Sequence, residues 1–155
     1  MRHKKPSKRE IQADVKYSRD DVAKFINYVM RRGKKSTASR VVYAALTRVH
    51  ELSKQDPLKV FEEAFKNVSP TLEVRSKRVG GANYQIPFPV RPERRFFLAS
   101  RWLIDAAASR KGAPMGVKLS EELMSAAKGE GAAVKKRQDV HRMAEANKAF
   151  AHFAR

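Results

Sequence analysis

The hydrophobic period changes twice along this 155-residue chain, and that change restricts the fold more than any other feature. Up to about residue 70 apolar side chains recur at helical spacing, and helical spacing returns after residue 92. Between them Leu72, Val74, Ser76 and Arg78 alternate with Glu73, Arg75 and Lys77. After Gly80-Gly81, Tyr84, Ile86, Phe88 and Val90 alternate with Gln85, Pro87 and Pro89. Two alternating runs around a Gly-Gly turn predict a β-hairpin over about 72–90. Pro87 and Pro89 have no N–H to give to a ladder, so the second strand is not expected inside a larger sheet. The predicted fold is a mainly α single domain of about six helices, with an inserted two-stranded β-ribbon projecting from the helical body.

The helical segments carry start and stop signals. Ser18 with Asp21 reads as a capping box for a first helix, with Val22, Phe25, Ile26, Val29 and Met30 on one face and Gly33 as its stop. A second helix begins near Ser36 or Thr37 and buries Ala38, Val41, Val42, Ala45, Leu46 and Val49. Asp56-Pro57 opens a third with Leu58, Phe61, Phe65 and Val68 inward, ended by Ser69-Pro70. Pro92 opens a fourth, lined by Phe96, Ala99, Leu103 and Ala106 or Ala107, where Trp102 is assigned to packing. Gly112 to Gly116 reads as a connector. A fifth helix holds Leu119, Leu123 and Met124, with Glu121 and Glu122 as early acids. Gly129-Glu130-Gly131 reads as a flexible break. A last helix from about Ala132 to Phe150 has only a thin apolar stripe of Val140, Met143, Ala144 and Ala151, and is expected to dock lightly. Residues 1–16 read as a mobile basic arm, 17–150 as the folded domain and 151–155 as a tail.

Charge narrows the function. Lys and Arg total 34 against 16 acids, a net charge of +18. A chain with 42% hydrophobic residues is too apolar for a disordered basic tail, and its length allows one core. Such an excess of cations points to a polyanionic partner. The cations cluster where elements meet: Arg2, Lys4, Lys5, Lys8 and Arg9 in the arm; Arg31, Arg32, Lys34 and Lys35 at the first corner; Arg75, Lys77 and Arg78 on the ribbon; Arg91, Arg94, Arg95 and Arg101 on the fourth helix; Lys135, Lys136 and Arg137 at the start of the last. At the first corner the next helix adds free N–H groups and a positive dipole end, which favour phosphate oxygen. Arg94 and Arg95 oppose the dipole of their own helix, and an external anion is expected to offset that.

Catalytic chemistry is not evident. Cysteine is absent, so disulfides, thiolate metal sites and Cys nucleophiles are excluded. His3, His50, His141 and His152 match no metal spacing, and no phosphate loop, dinucleotide fingerprint or nucleophile elbow occurs. Neither an enzyme nor a cofactor is expected. No apolar run is long enough to span a bilayer, and the basic start leads into no signal-like segment.

Several blocks resemble the family of small-subunit ribosomal protein seven, in its bacterial and organellar form. Gly33-Lys34-Lys35 is similar to that family's first helical corner. Val74-Arg75-Ser76-Lys77-Arg78-Val79-Gly80-Gly81 followed by Tyr84-Gln85-Ile86-Pro87 is similar to its ribbon. Ala133-Val134-Lys135-Lys136-Arg137 and His141-Arg142-Met143-Ala144-Glu145-Ala146-Asn147-Lys148-Ala149 resemble its last helix. The resemblance implies direct binding to the 3′ major domain of small-subunit rRNA and nucleation of the subunit head. It further implies a place near the decoding region beside the exit-site tRNA, contacts with small-subunit proteins nine and eleven, and a location in the cytoplasmic, or an organellar, ribosome. On the rRNA side it places Arg2 through Arg9, Lys34, Lys35, Arg75 to Arg78, Arg91 to Arg95 and Met115. On the tRNA side it places the ribbon tip, Gly80, Gly81 and Tyr84, and the last helix with Lys135, Lys136, Arg137 and Arg142. One departure stands out: relatives often end in a tail with Tyr and Trp, whereas this chain ends Ala149-Phe150-Ala151-His152-Phe153-Ala154-Arg155.

Two other classes fit the charge: an architectural DNA-binding protein with a proline-bearing ribbon, and a helical module for acidic protein partners. Both ribbon prolines lie in one strand rather than at the tip, and no symmetric dimer seam is evident, which disfavours the first. Binding that survives ribonuclease would mark the second.

Overall fold

Helical and alternating periods each produce the element they predict in the computed structural model, which describes residues 11–154. The order is α1 (Asp20–Val29), α2 (Lys35–Ser53), α3 (Pro57–Val68), β1 (Leu72–Val79), β2 (Ala82–Pro89), α4 (Pro92–Ser109), α5 (Met115–Ala127), α6 (Ala132–Ala146) and a 3-10 segment, Lys148–Ala154. The protein is mainly α with one antiparallel ribbon. The expected arm of residues 1–16 lies outside the described residues up to Glu10.

The core forms where the apolar stripes of α1–α5 meet. Phe25, Phe61 and Phe65 pack edge-on or tilted at centroid distances of 4.4–5.5 Å, and Phe96 stacks on Phe65 at 4.8 Å. Val42, Leu46, Val49, Leu103, Leu119 and Leu123 close this cluster. Trp102 packs against it, half-buried. Gly116 belongs to α5 rather than to a connector. Its α-carbon sits so close to α2 that an added Cβ would meet Ala44 Cβ and the Val41 carbonyl at 3.4 Å.

Helix ends hold several differences from expectation. Asp56 caps α3 by accepting the Leu58 N–H at 3.0 Å, with Pro57 at the first position, as predicted. The Ser18–Asp21 box does not form: Ser18 takes a positive φ of 52°, and Asp21 accepts from Arg19 instead. The preceding turn is organised by the buried Asp14, whose carboxylate accepts from Lys16 and Tyr17 N–H and from the Tyr43 hydroxyl at 2.7 Å. That last contact pins the segment before α1 onto α2. Helix α1 stops at Val29, ahead of Gly33, because the chain extends at Met30 and then turns left-handed at Arg32 and Gly33, with φ of 53° and 73°.

The ribbon pairs Leu72 with Pro89 through Val79 with Ala82, around a two-residue turn in which Gly80 and Gly81 both have positive φ. Among the described residues no third strand joins it. This register puts Tyr84, Ile86 and Phe88 on the face of Lys77, Arg75 and Glu73, so the two strands' apolar sets point to opposite faces. Glu73 is buried, 6% exposed, and Ile86 fully so.

Three further expectations are corrected. Glu121 and Glu122 are not early acids, because α5 begins at Met115. Gly129 to Gly131 is not a loose break but a defined corner: Gly131 has φ 96° and would place a Cβ 2.8 Å from Glu122 Oε1. The last helix ends at Ala146 rather than Phe150. It docks through Ala133, Val134 and Ala144, while Met143 is 47% exposed. The chain then continues as the 3-10 segment, Lys148–Ala154.

Candidate nucleic-acid interface

Two clefts join along the outer side of α2. The first, about 390 Å³, is walled by Arg31, Arg32 and Lys34 at the α1–α2 corner, with Ala38, Val41, Ile104 and Met115 among its floor residues. The second, about 350 Å³, continues past Arg40 and Arg48 to Pro114–Val117. Thr37, Val41 and Met115 line both, so they form one groove with an apolar floor and a cationic rim. Among the described residues Arg31, Arg32, Lys34 and Lys35 make no ion pair, and all four are exposed. Helix α2 begins here without a side-chain cap, so its first N–H groups add to the cationic end. Met115 stands half-buried between the clefts.

Arg40 and Arg48 were not singled out from the sequence. With Thr37, Val41 and Ala44 they follow helical spacing on one side of α2, and a periodic scan for cations instead of apolar residues finds them. The Nε of Arg48, like those of Arg95 and Arg137, is buried with no acceptor.

The second cluster lies where the ribbon meets α4. Glu73 accepts from Arg75 Nε at 2.7 Å and from Arg94 Nε at 3.1 Å. Arg75 also lies over Phe88 and Arg94 over Phe97, at 5.5 and 5.1 Å from the ring centres. The dipole penalty at Arg94 is therefore offset within the chain by Glu73, not only by an outside anion. Both guanidinium groups remain about half exposed, Arg91 is exposed and Arg95 half-buried. Arg101, mid-helix, pairs with Asp105 at 3.1 Å and is exposed. The far end of α4 supplies Ile104 and Ala108 to the groove. Helix α4, 18 residues and about 27 Å long, thus runs from the second cluster towards the groove.

The third group is the outer edge. Lys135 and Lys136 project from the first turns of α6, with Arg137 half-buried and Arg142 exposed. Lys77 donates to the Phe153 carbonyl at 2.9 Å. Arg78, Gly80 and Gly81 are exposed at the ribbon's far end. Tyr84 does not stand free: its ring packs on Phe150 at 5.1 Å and Phe153 at 5.6 Å. His141 ties α6 to the ribbon base by accepting the Thr71 N–H at its Nε2, 3.1 Å away. Burial and the Arg137 charge both push its pKa below the usual 6.5. Arg2, Lys4, Lys5, Lys8 and Arg9 lie outside the described residues.

Among the described residues no three His, Asp or Glu are placed to hold a metal, and no helix is long and apolar enough to cross a membrane.

A helical body with separated cation clusters and a basic ribbon is the form of an RNA-binding protein. Comparison with known proteins specifies it. The family model described as "Ribosomal protein S7p/S5e" matches residues 1–148, and the chain belongs to that family. Proteins named "Small ribosomal subunit protein uS7" are similar to it. The one from Pseudomonas aeruginosa PAO1 is 55% identical over 152 residues, 98% of this chain and 97% of the relative. One from Acinetobacter baumannii AYE is 57% identical over 145 residues, 94% and 93% of the two chains. One from Nitrosospira multiformis is 55% identical over 152 residues, with 98% and 97% covered. The family is structural and non-enzymatic, and its role is in the small ribosomal subunit.

Proposed function

We propose that this chain is a primary rRNA-binding protein of the small subunit, which grips the 3′ major domain of 16S-type rRNA and nucleates folding of the subunit head. The observation that carries this reading is the groove on α2: Arg31, Arg32 and Lys34 at its entrance with Lys35 beside them, all exposed and without an ion pair among the described residues, a cap-free helix start, and Arg40 and Arg48 along its rim. Cations release counterions from phosphates and supply affinity. Specificity comes from shape, because A-form RNA hides its major-groove edges from side chains. A rigid body with clusters separated along α4 touches more than one RNA helix and favours the junction conformer that fits both; stabilising that conformer is the assembly step.

On this reading the arm, the corner residues Lys34 and Lys35, the ribbon base and Arg91 to Arg95 face rRNA with Met115. The exposed end of the ribbon and the outer side of α6, with Lys135, Lys136, Arg137 and Arg142, face the exit-site tRNA. Proteins nine and eleven are neighbours in the subunit head. Tyr84 serves the chain's own 3-10 segment, so tRNA is met by Arg78 and the glycine turn rather than by stacking on that ring.

Binding of the Lys34→Glu, Lys35→Glu double variant to a 3′ major-domain transcript tests this. Affinity is expected to fall about tenfold, and the slope of log affinity against log salt to shrink by about 2, with the circular dichroism spectrum unchanged. Unchanged affinity and slope would remove the corner from the interface.

A further inference from the structure

Helix α6 begins against electrostatic expectation. Gly131 offers no capping side chain, no acid stands in the first turn, and Lys135, Lys136 and Arg137 follow in the second turn, near the positive end of the helix dipole. Its apolar anchor is small: Ala133, Val134 and Ala144. Something else must hold it.

That something is Glu122, from the middle of α5. Its side chain is fully buried. One carboxylate oxygen, Oε2, accepts from Arg110 Nη2 at 2.7 Å and Nε at 3.2 Å. The other, Oε1, accepts the Ala133 N–H at 3.0 Å, which satisfies a first-turn donor of α6. Arg110 directly follows α4 and reaches Glu121 as well, at 3.4 Å. One carboxylate thus joins the end of α4, the middle of α5 and the start of α6. The corner is built around it, for Gly131 has no room for a Cβ beside Oε1. None of these residues meets the groove on α2, the ribbon base or the ribbon tip.

We propose that Glu122 is a positioning residue for nucleic-acid binding: its buried negative charge at the start of α6 holds the Lys135–Lys136–Arg137 cluster at a fixed place on the body. The charge does what a neutral cap would not. It offsets three cations at the dipole's positive end, and it leaves both oxygens as acceptors. A glutamine puts an acceptor at only one of the two positions and turns its NH2 donors towards Arg110 or the Ala133 N–H at the other.

The inference rests on the RNA-binding reading above, and its test separates the two. In Glu122→Gln, hydrogen exchange at the Ala133 amide of the free protein is expected to rise about tenfold as the cap is lost. Affinity of the protein–transcript complex for tRNA should fall several-fold, with a shallower salt dependence. Lys135→Ala with Lys136→Ala should do likewise. Combining all three changes should cost less than the sum of the two separate losses, because the glutamate acts largely through those lysines. Gly131→Ala presses on the same carboxylate without altering a charge, and should reproduce the exchange and binding effects even if Glu122→Gln does not fold. Unchanged Ala133 exchange in either folded variant, or fully additive binding losses, overturns the role of Glu122. A wild-type protein that ignores the transcript overturns the functional reading instead.

Discussion

Phe61 in the body touches Phe25 and Phe65 and is almost wholly buried, whereas Met143 on α6 is 47% exposed. The contrast extends to the regions around them. Helices α1 to α5 are held chiefly by side chains that interlock without direction, with a few directed bonds such as Tyr43 to Asp14 and Arg110 to Glu122 among them. The outer region, α6 with the ribbon and the 3-10 segment, has a smaller apolar anchor and adds directed contacts at single atoms: Glu122 to Ala133, His141 to Thr71, Lys77 to the Phe153 carbonyl. The body can therefore serve as a rigid platform for rRNA, while the outer region keeps a set position with little buried apolar area. A change in the body is felt as lost stability; a change in the outer region is felt as lost placement.

The largest expected effect lies in the body. Phe61→Ala should cost about 3–5 kcal/mol of unfolding free energy, read from denaturant midpoints, because the surrounding rings cannot close the cavity. A cost near that of a surface change would mean the aromatic cluster is not the anchor. Next comes Tyr84→Ala, which removes the ring between Phe150 and Phe153. About 1–2 kcal/mol should be lost, and the loss should be confined to the 3-10 segment, as seen by hydrogen exchange at its amides. Equal deprotection of α3 amides would erase the distinction between the two regions.

Smaller effects sharpen the comparison further. His141 is held below its usual 6.5 by burial and by Arg137, so the folded form keeps it neutral where the unfolded chain is protonated. The stability from this contact is full above about 6.5 and falls as pH drops through the lowered value, because a protonated ring cannot accept from Thr71. Exchange at the Thr71 amide should accelerate on acidification in the wild type and be insensitive to pH beyond the chemical rate in His141→Gln. The smallest effect is spectroscopic. Asp14 accepts from the Tyr43 hydroxyl, and that bond, with burial, pushes Tyr43 up to about 12. Asp14→Asn should return its ultraviolet titration towards 10.0, the ordinary tyrosine value; a titration that stays high would mean burial alone sets it.

The same division explains what the sequence could disclose. The spacing of Val22, Phe25 and Ile26, the Asp56-Pro57 start and the Gly80-Gly81 turn each carry a local signal, and each formed the element expected. Candidate cations at Arg31 to Lys35 were visible because they are adjacent in the chain. Arg40 and Arg48 were overlooked because helical spacing, not adjacency, brings them together. Glu122 read as an early acid of its helix: nothing local tells that Arg110 and Ala133, twelve residues before and eleven after it, will enclose it. The Ser18–Asp21 box failed for the converse reason. Asp14, paired with the distant Tyr43, fixes the turn first and leaves Ser18 left-handed.

The central claim is that the placed cations grip folded RNA, and one measurement addresses it directly. The purified chain is titrated into a labelled 3′ major-domain transcript at several salt concentrations, with unlabelled duplex DNA as competitor. The account predicts affinity that falls steeply and linearly in log salt, and that an excess of duplex DNA fails to displace the transcript. Binding that duplex DNA displaces as readily as the transcript itself, or a folded chain that leaves the transcript unbound near physiological salt, would contradict it.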